Sequence, residues 1–174
     1  MFEKTFDPLS IKSEGNEEVV IQALKREINN ILHSYVGWFD PFCEMIQNAL
    51  DAVDKRRELN DGFEPHIYIY ISLKENQITV TDNGVGFTES EYTRFLAPNF
   101  SFKSGNRTRG HKGVGATYLA YGFNYIQIAT KSPEFNAIGV MKGARRWLND
   151  AAPSGNPEVK PDKKPKEECT CVKI

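Results

Sequence analysis

Cysteine is nearly absent from this chain: the 174 residues hold Cys43, Cys169 and Cys171 and no others. One lies inside a helical pattern and two near the end, so neither a disulfide framework nor a zinc-ligand spacing can be assembled, and a reducing, cytoplasmic setting is expected. No apolar run approaches the length of a membrane span, and residues 1–30 are too charged for a signal peptide, so no membrane is expected. Excess charge of one sign is missing as well. The 22 basic residues face 23 acidic ones for a formal net charge of −1, which leaves no electrostatic footprint for nucleic acid. What remains is 40% hydrophobic, enough at this length for one domain with its own core.

The apolar periods divide that domain into elements. Residues 16–35 carry Val20, Ala23 or Leu24, Ile28, Ile31 and Leu32 on one side, an amphipathic helix. Gly37 and Asp40-Pro41 break the chain, and a second helix runs from Pro41 to Leu59 with Asp40 as its N-cap. Residues 66–73 and 77–82 alternate as strands and form a hairpin across Lys74-Glu75-Asn76. Thr88 and Glu91 make a capping box that starts a short helix to about Phe95. Residues 97–112 have no period and read as a loop, and Gly113 to Phe123 reads as a helix opened by glycines. A second strand pair covers 125–130 and 135–142. After Asn149 the composition changes: Pro153, Pro157, Pro161 and Pro165 recur among Lys and Glu with little to bury. Residues 149–174 are therefore expected to be a disordered Pro/Lys-rich tail, leaving 1–148 as the domain.

Three groups of residues carry chemistry. On the second helix Glu44, Asn48 and Asp51 fall at i, i+4 and i+7 and share one face. A carboxylate, a carboxamide and a carboxylate stacked this way could hold a divalent cation and aim a water molecule, and a solvated polar stripe is the alternative. Asp82 ends a strand and is followed by Gly84 and Gly86. A buried carboxylate at a strand end can accept from an exocyclic amine such as adenine N6, and the glycines let backbone approach a flat ring. An ordinary Asp-Asn-Gly turn is the alternative. Gly110-His111-Lys112-Gly113-Val114-Gly115 opens a helix, where backbone N–H groups could meet phosphate oxygens. This is neither the dinucleotide fingerprint nor a P-loop.

In order and spacing, Glu44-x-x-x-Asn48-x-x-Asp51-Ala52, then Asp82-x-Gly84-x-Gly86, then Gly110-x-x-Gly113-x-Gly115 resembles the GHKL ATPase family. That family includes gyrase B subunits, the ninety-kilodalton heat-shock chaperones, sensor histidine kinases and MutL-type mismatch-repair proteins. The resemblance covers about residues 16–142. It implies the Bergerat fold, an α+β two-layer sandwich with a mixed, largely antiparallel sheet and helices on one face. It also implies ATP and Mg²⁺ as ligands. Carried over by position, Glu44 is the general base, Asn48 the Mg²⁺ ligand and Asp51 a supporting polar group. Asp82 binds the adenine amine, Gly84 and Gly86 line the base, and Thr130 joins the adenine-side water network. Residues 87–109 form a lid, and Gly110, His111, Lys112, Gly113, Val114 and Gly115 receive the phosphates with Lys103 in reach.

Asn48-Ala49-Leu50-Asp51-Ala52 and Phe102-Lys103-Ser104-Gly105 read like the chaperone and mismatch-repair branch, whereas Gly113-Val114-Gly115-Ala116 is closer to gyrase-like sequences. The first expectation is an ATPase that drives a lid and dimer switch. The second is a nucleotide-sensing or histidine-kinase-like module without appreciable turnover. In the chaperone branch a second domain supplies a Lys or Arg to the γ-phosphate. Here that group is expected from a homodimer or a partner chain, with Lys103, Arg107, Arg109 and Lys112 as partial substitutes.

Overall fold

A computed structural model describes residues 3–9, 17–98, 114–150, 155–162 and 170–173. Two long helices open it, α1 (Glu17–Ser34) and α2 (Asp40–Leu59). Met45, Ala49 and Val53 of α2 are buried one above another at four-residue steps, the stripe that the apolar period predicts. Pro41 sits in the first turn, where a missing N–H costs nothing. Asp40 is not the N-cap. That position belongs to Phe39, without a side-chain cap bond, and the Asp40 carboxylate instead accepts from the Gly37 N–H at 2.7 Å. The carboxylate thus closes the loop behind the helix rather than the turn ahead of it.

Strands β1 (Ile67–Ser72) and β2 (Gln77–Asp82) form the expected hairpin, its turn closed by Asn76 at φ +49°. Helix α3 (Glu89–Arg94) starts at Thr88 with both halves of the capping box made. Helix α4 (Val114–Tyr121) then leads into β3 (Tyr125–Lys131) and β4 (Asn136–Lys142). Short helix α5 (Ala144–Asn149) buries Ala144, Trp147 and Leu148. Lys25 of α1 is only 5% exposed. Its ammonium donates 2.6 Å bonds to the Trp147 and Asp150 carbonyls at the C-terminal end of α5 and lies over the Trp147 ring. A cation there complements the carbonyls gathered at the C-terminal end of a helix.

The expectation of a disordered tail over 149–174 does not hold where the structure describes it. Besides the α5 residues, Val159–Pro161 forms β5 and Thr170–Lys173 forms β6. Both are held by partners distant in sequence, and backbone pairing outweighs the Pro- and Lys-rich composition. The six strands form one sheet in the order β1-β2-β6-β3-β4-β5. Every pair among them is antiparallel, so the described sheet lacks the parallel pairing of a mixed one.

The register places Ile67, Ile78, Val80, Ile126, Ile128, Ala137, Met141 and Val159 on one face. These are the sheet residues that join the core with Leu24, Ile28, Met45, Ala49, Tyr92, Leu119 and Tyr121. The helices therefore cover one face, giving an α+β two-layer sandwich. Edge strand β1 is the exception to burial, with Tyr68, Ile69, Tyr70 and Ile71 all exposed.

Candidate nucleotide-binding site

Asp82 is the last residue of β2 and Thr130 the last but one of β3. Strand β6 lies between those strands and is antiparallel to both, so β2 and β3 run the same way and end at the same edge of the sheet. Two polar side chains buried on the core face are thereby delivered to one end of it. Asp82 is 7% exposed and Thr130 2%.

The Asp82-Asn83-Gly84-Val85-Gly86 turn that follows β2 is pinned from several sides. The Gly84 N–H donates to Asp82 Oδ1 at 2.8 Å, and the Val85 N–H donates to the Ala52 carbonyl at 3.3 Å. Arg56, in the last turn of α2, donates to the Asn83 carbonyl at 2.6 Å. Asn83 in turn accepts from the His66 N–H and donates to the Glu64 carbonyl, tying the turn to the start of β1. A Cβ on Gly84 would stand 2.5 Å from the Ala52 carbonyl carbon, so only glycine lets the turn lie against α2. Gly86 has φ +69°, and a Cβ there would meet the Lys131 carbonyl at 2.5 Å and Thr130 Oγ1 at 3.1 Å. The Phe87 N–H donates to Thr130 Oγ1 at 2.7 Å. Asp82, Gly84, Gly86 and Thr130 are thus one continuous wall, and the alternative of an isolated surface turn is excluded.

Burial pushes the Asp82 carboxyl up to about 6, opposed by the Gly84 N–H that favours its charged form. Among the described residues that N–H is its one hydrogen-bond donor. A largely desolvated acceptor whose first oxygen is engaged and whose second is not fits a ligand N–H.

The polar stripe of α2 is not a solvated face. Glu44 and Asn48 are half-buried and Asp51 is 9% exposed. Glu44 lies at the start of α4: a Cβ on Gly115 would overlap its carboxylate. Its Oε1 accepts from the Tyr35 hydroxyl at 2.8 Å. The structure therefore joins Glu44 to the end of the third glycine motif. Lys103, Gly110, His111, Lys112 and Gly113, with the part of the expected lid beyond Pro98, lie outside the described residues; Val114 and Gly115 open α4. Among the described residues no cluster of three or more His, Cys, Asp or Glu side chains is placed to hold a metal. The Asn48 carboxamide offers one hard oxygen, the donor type Mg²⁺ takes alongside phosphate oxygens and water. No helix among the described residues is long and apolar enough to cross a membrane.

Periodicity and motif spacing do not reveal Tyr35 or Arg56, nor the role of Ala52. Ala52 adjoins Asp51 in the motif and could have been read as the contact for a glycine turn. Tyr35 stands nine residues before Glu44 across a loop, and no local period connects the two.

Residues 40–139 match the family described as histidine kinase-, DNA gyrase B-, and HSP90-like ATPase. Among curated proteins the chain is similar to the chaperone protein HtpG of Mycolicibacterium gilvum, 33% identical over 90 residues, 46% of this chain and 14% of that protein. It is also similar to the chaperone protein HtpG of Bacteroides fragilis, 27% identical over 125 residues, 63% of this chain and 18% of that one. Heat shock protein 90-5, chloroplastic, of Arabidopsis thaliana is 27% identical over 135 residues, 64% of this chain and 17% of its own. The chain spans less than a fifth of the length of these relatives. The matched segment holds α2, the hairpin with its glycine turn, α4 and β3, the elements that build the wall and seat Glu44, and on that match the chain belongs to the histidine kinase-, DNA gyrase B- and HSP90-like ATPase family.

Proposed function

We propose that this chain binds ATP through its adenine at Asp82 and hydrolyses it slowly with Glu44 as general base. The observation that carries the reading is the shared sheet edge where Asp82, Gly84, Gly86 and Thr130 form one wall. The second oxygen of Asp82 accepts the adenine amine. Gly84 and Gly86 present bare backbone to the ring, and Thr130 lies beside them. Asn48 would lend its carboxamide oxygen to a Mg²⁺ ion, which would supply positive charge against the phosphate. Asp51 supports the same stripe, while Gly110 to Gly115 and Lys103 receive phosphate. Glu44, at the α4 start, takes a proton from the attacking water. That placement favours hydrolysis over a nucleotide-sensing module, since a positioned base has no part in binding alone.

A lid and dimer switch, with a Lys or Arg from a second copy or a partner chain, completes the reading. Phosphoryl transfer depends on cations set against the developing charge, so residues 1–174 alone turn over slowly. A cytoplasmic setting is consistent with the cysteine usage.

Thermal shift with ATP, ADP and GTP tests the adenine assignment. ATP and ADP stabilise the protein and GTP does not, because guanine presents a carbonyl where adenine presents an amine. Asp82→Asn loses the shift, since the Gly84 N–H holds the amide oxygen and turns the Nδ2 donors toward a donor. Equal stabilisation by GTP and ATP sinks the assignment. Glu44→Ala keeps the ATP shift while turnover falls roughly a hundredfold, the usual worth of a positioned base; parent-like turnover removes Glu44 from the chemistry.

A further inference from the structure

We propose that Tyr35 is a positioning residue for Glu44, its hydroxyl fixing the carboxylate that activates water. The inference rests on the ATP-hydrolysis reading and adds a residue that the motifs do not contain.

The geometry is built from three elements. Tyr35 directly follows α1, and its N–H still bonds to the Leu32 carbonyl at 3.3 Å, so the residue leaves the helix in a fixed direction. The loop behind it is closed by the Asp40 carboxylate on the Gly37 N–H. The Tyr35 ring lies flat on Tyr118 of α4, with centroids 4.2 Å apart and planes 4° from parallel. Tyr118 falls three residues after Gly115, on the same side of that helix. The ring is therefore immobilised by the element whose first turn faces the Glu44 carboxylate.

From that seat the hydroxyl donates to Glu44 Oε1 at 2.8 Å, while Oε2 is the oxygen directed at Gly115. A Glu side chain left alone samples three torsions, and a tyrosine has two. Stacking removes most of the freedom of the donor, so the bond transmits a fixed position to the acceptor. Burial and the neighbouring carboxylate raise the Tyr35 phenol above its ordinary range, so it remains the proton donor in this pair at working pH. One oxygen of Glu44 is thereby reserved for orientation and the other for water.

Tyr35→Phe separates the hydroxyl from the ring, because the stack survives. Binding of a non-hydrolysable ATP analogue, followed by thermal shift, stays within about twofold of the parent, whereas single-turnover hydrolysis of Mg²⁺-ATP falls about tenfold or more. In a Glu44→Gln background the same substitution causes no further loss, since it acts only through that side chain. Equal turnover of Tyr35→Phe and parent overturns the proposal, and so does an undiminished effect in the Glu44→Gln background. Analogue binding without any turnover in the parent overturns it too, because no water attack then exists for Tyr35 to serve. Loss of analogue binding in the parent is the separate result that overturns the ATP reading itself.

Discussion

Asp82 places a conflict at the centre of the site. Burial raises its pKa from an ordinary 3.8 to about 6, so the folded chain binds this proton more tightly than the unfolded one. The stability that follows is complete below pH 3.8 and is lost as pH rises through about 6. Integrated, the displacement corresponds to about 3 kcal/mol. At neutral pH the protein therefore carries an ionised, poorly hydrated carboxylate, and under the adenine assignment proposed above the ligand's amine offsets that cost. Asp82→Asn keeps the bond from Gly84 and removes the ionisation. Its Tm exceeds that of the parent by several degrees at pH 7.5, and the gap shrinks toward pH 4 while ATP loses its effect. A pH-independent Tm difference between the two proteins contradicts the assigned pKa.

Glycines of the two motifs differ in what crowds them, and the difference appears at the level of the elements they join. At Gly84 the obstacle is the Ala52 backbone, its carbonyl carbon 2.5 Å and oxygen 2.7 Å from an added Cβ. Backbone of a packed helix cannot withdraw, so Gly84→Ala separates α2 from the turn and costs about 2 kcal/mol in chemical denaturation. At Gly115 the obstacle is the far end of the Glu44 side chain, which can rotate aside. Gly115→Ala in α4 thus leaves stability unchanged or raises it by up to about 1 kcal/mol, while hydrolysis drops at least tenfold because the carboxylate is displaced. Parent-like turnover in Gly115→Ala disconnects Glu44 from the chemistry. These contacts also mark how far the sequence could be read. Helix α2 was legible to a residue at its start and end, because Pro41, the apolar period and Asn60 act locally. The pairing of Asp82 with its glycine turn was equally local. The crowding of Gly115 by Glu44, and the Tyr35 hydroxyl on the same carboxylate, depend on how α1, α2 and α4 converge. No spacing along the chain encodes that convergence. Helix α5 escaped notice for a related reason: six residues give too short a period, and Lys25 from α1 completes its end.

Strand β6 ties the whole molecule to the site, and its composition concealed it. Thr170–Lys173 follows a Pro-, Lys- and Glu-rich stretch, and a four-residue strand has little propensity of its own. Its stability comes from partners on both sides. Val172 stands opposite Val80 of β2 and Ile128 of β3, and Asp82 stands opposite Thr170. Strand order is β2-β6-β3, so the strand carrying Asp82 and the strand carrying Thr130 have no direct pairing. Strand β6 bridges the two strands, and the Phe87 N–H on Thr130 Oγ1 joins their ends. Deleting residues 163–174 leaves Glu44, Asn48, Asp82 and Thr130 untouched in sequence but opens the sheet between the two halves of the wall. The shortened chain, 1–162, unfolds at a lower temperature than the parent, and ATP no longer raises its Tm. Val172→Pro removes a ladder donor from a central strand and moves both readouts in the same direction. A synthetic peptide of residues 163–174, added in excess, restores part of the ATP shift by binding the folded form. Parent-like Tm and ATP response in chain 1–162 would show that the wall forms without β6 and that residues 163–174 are dispensable to the site.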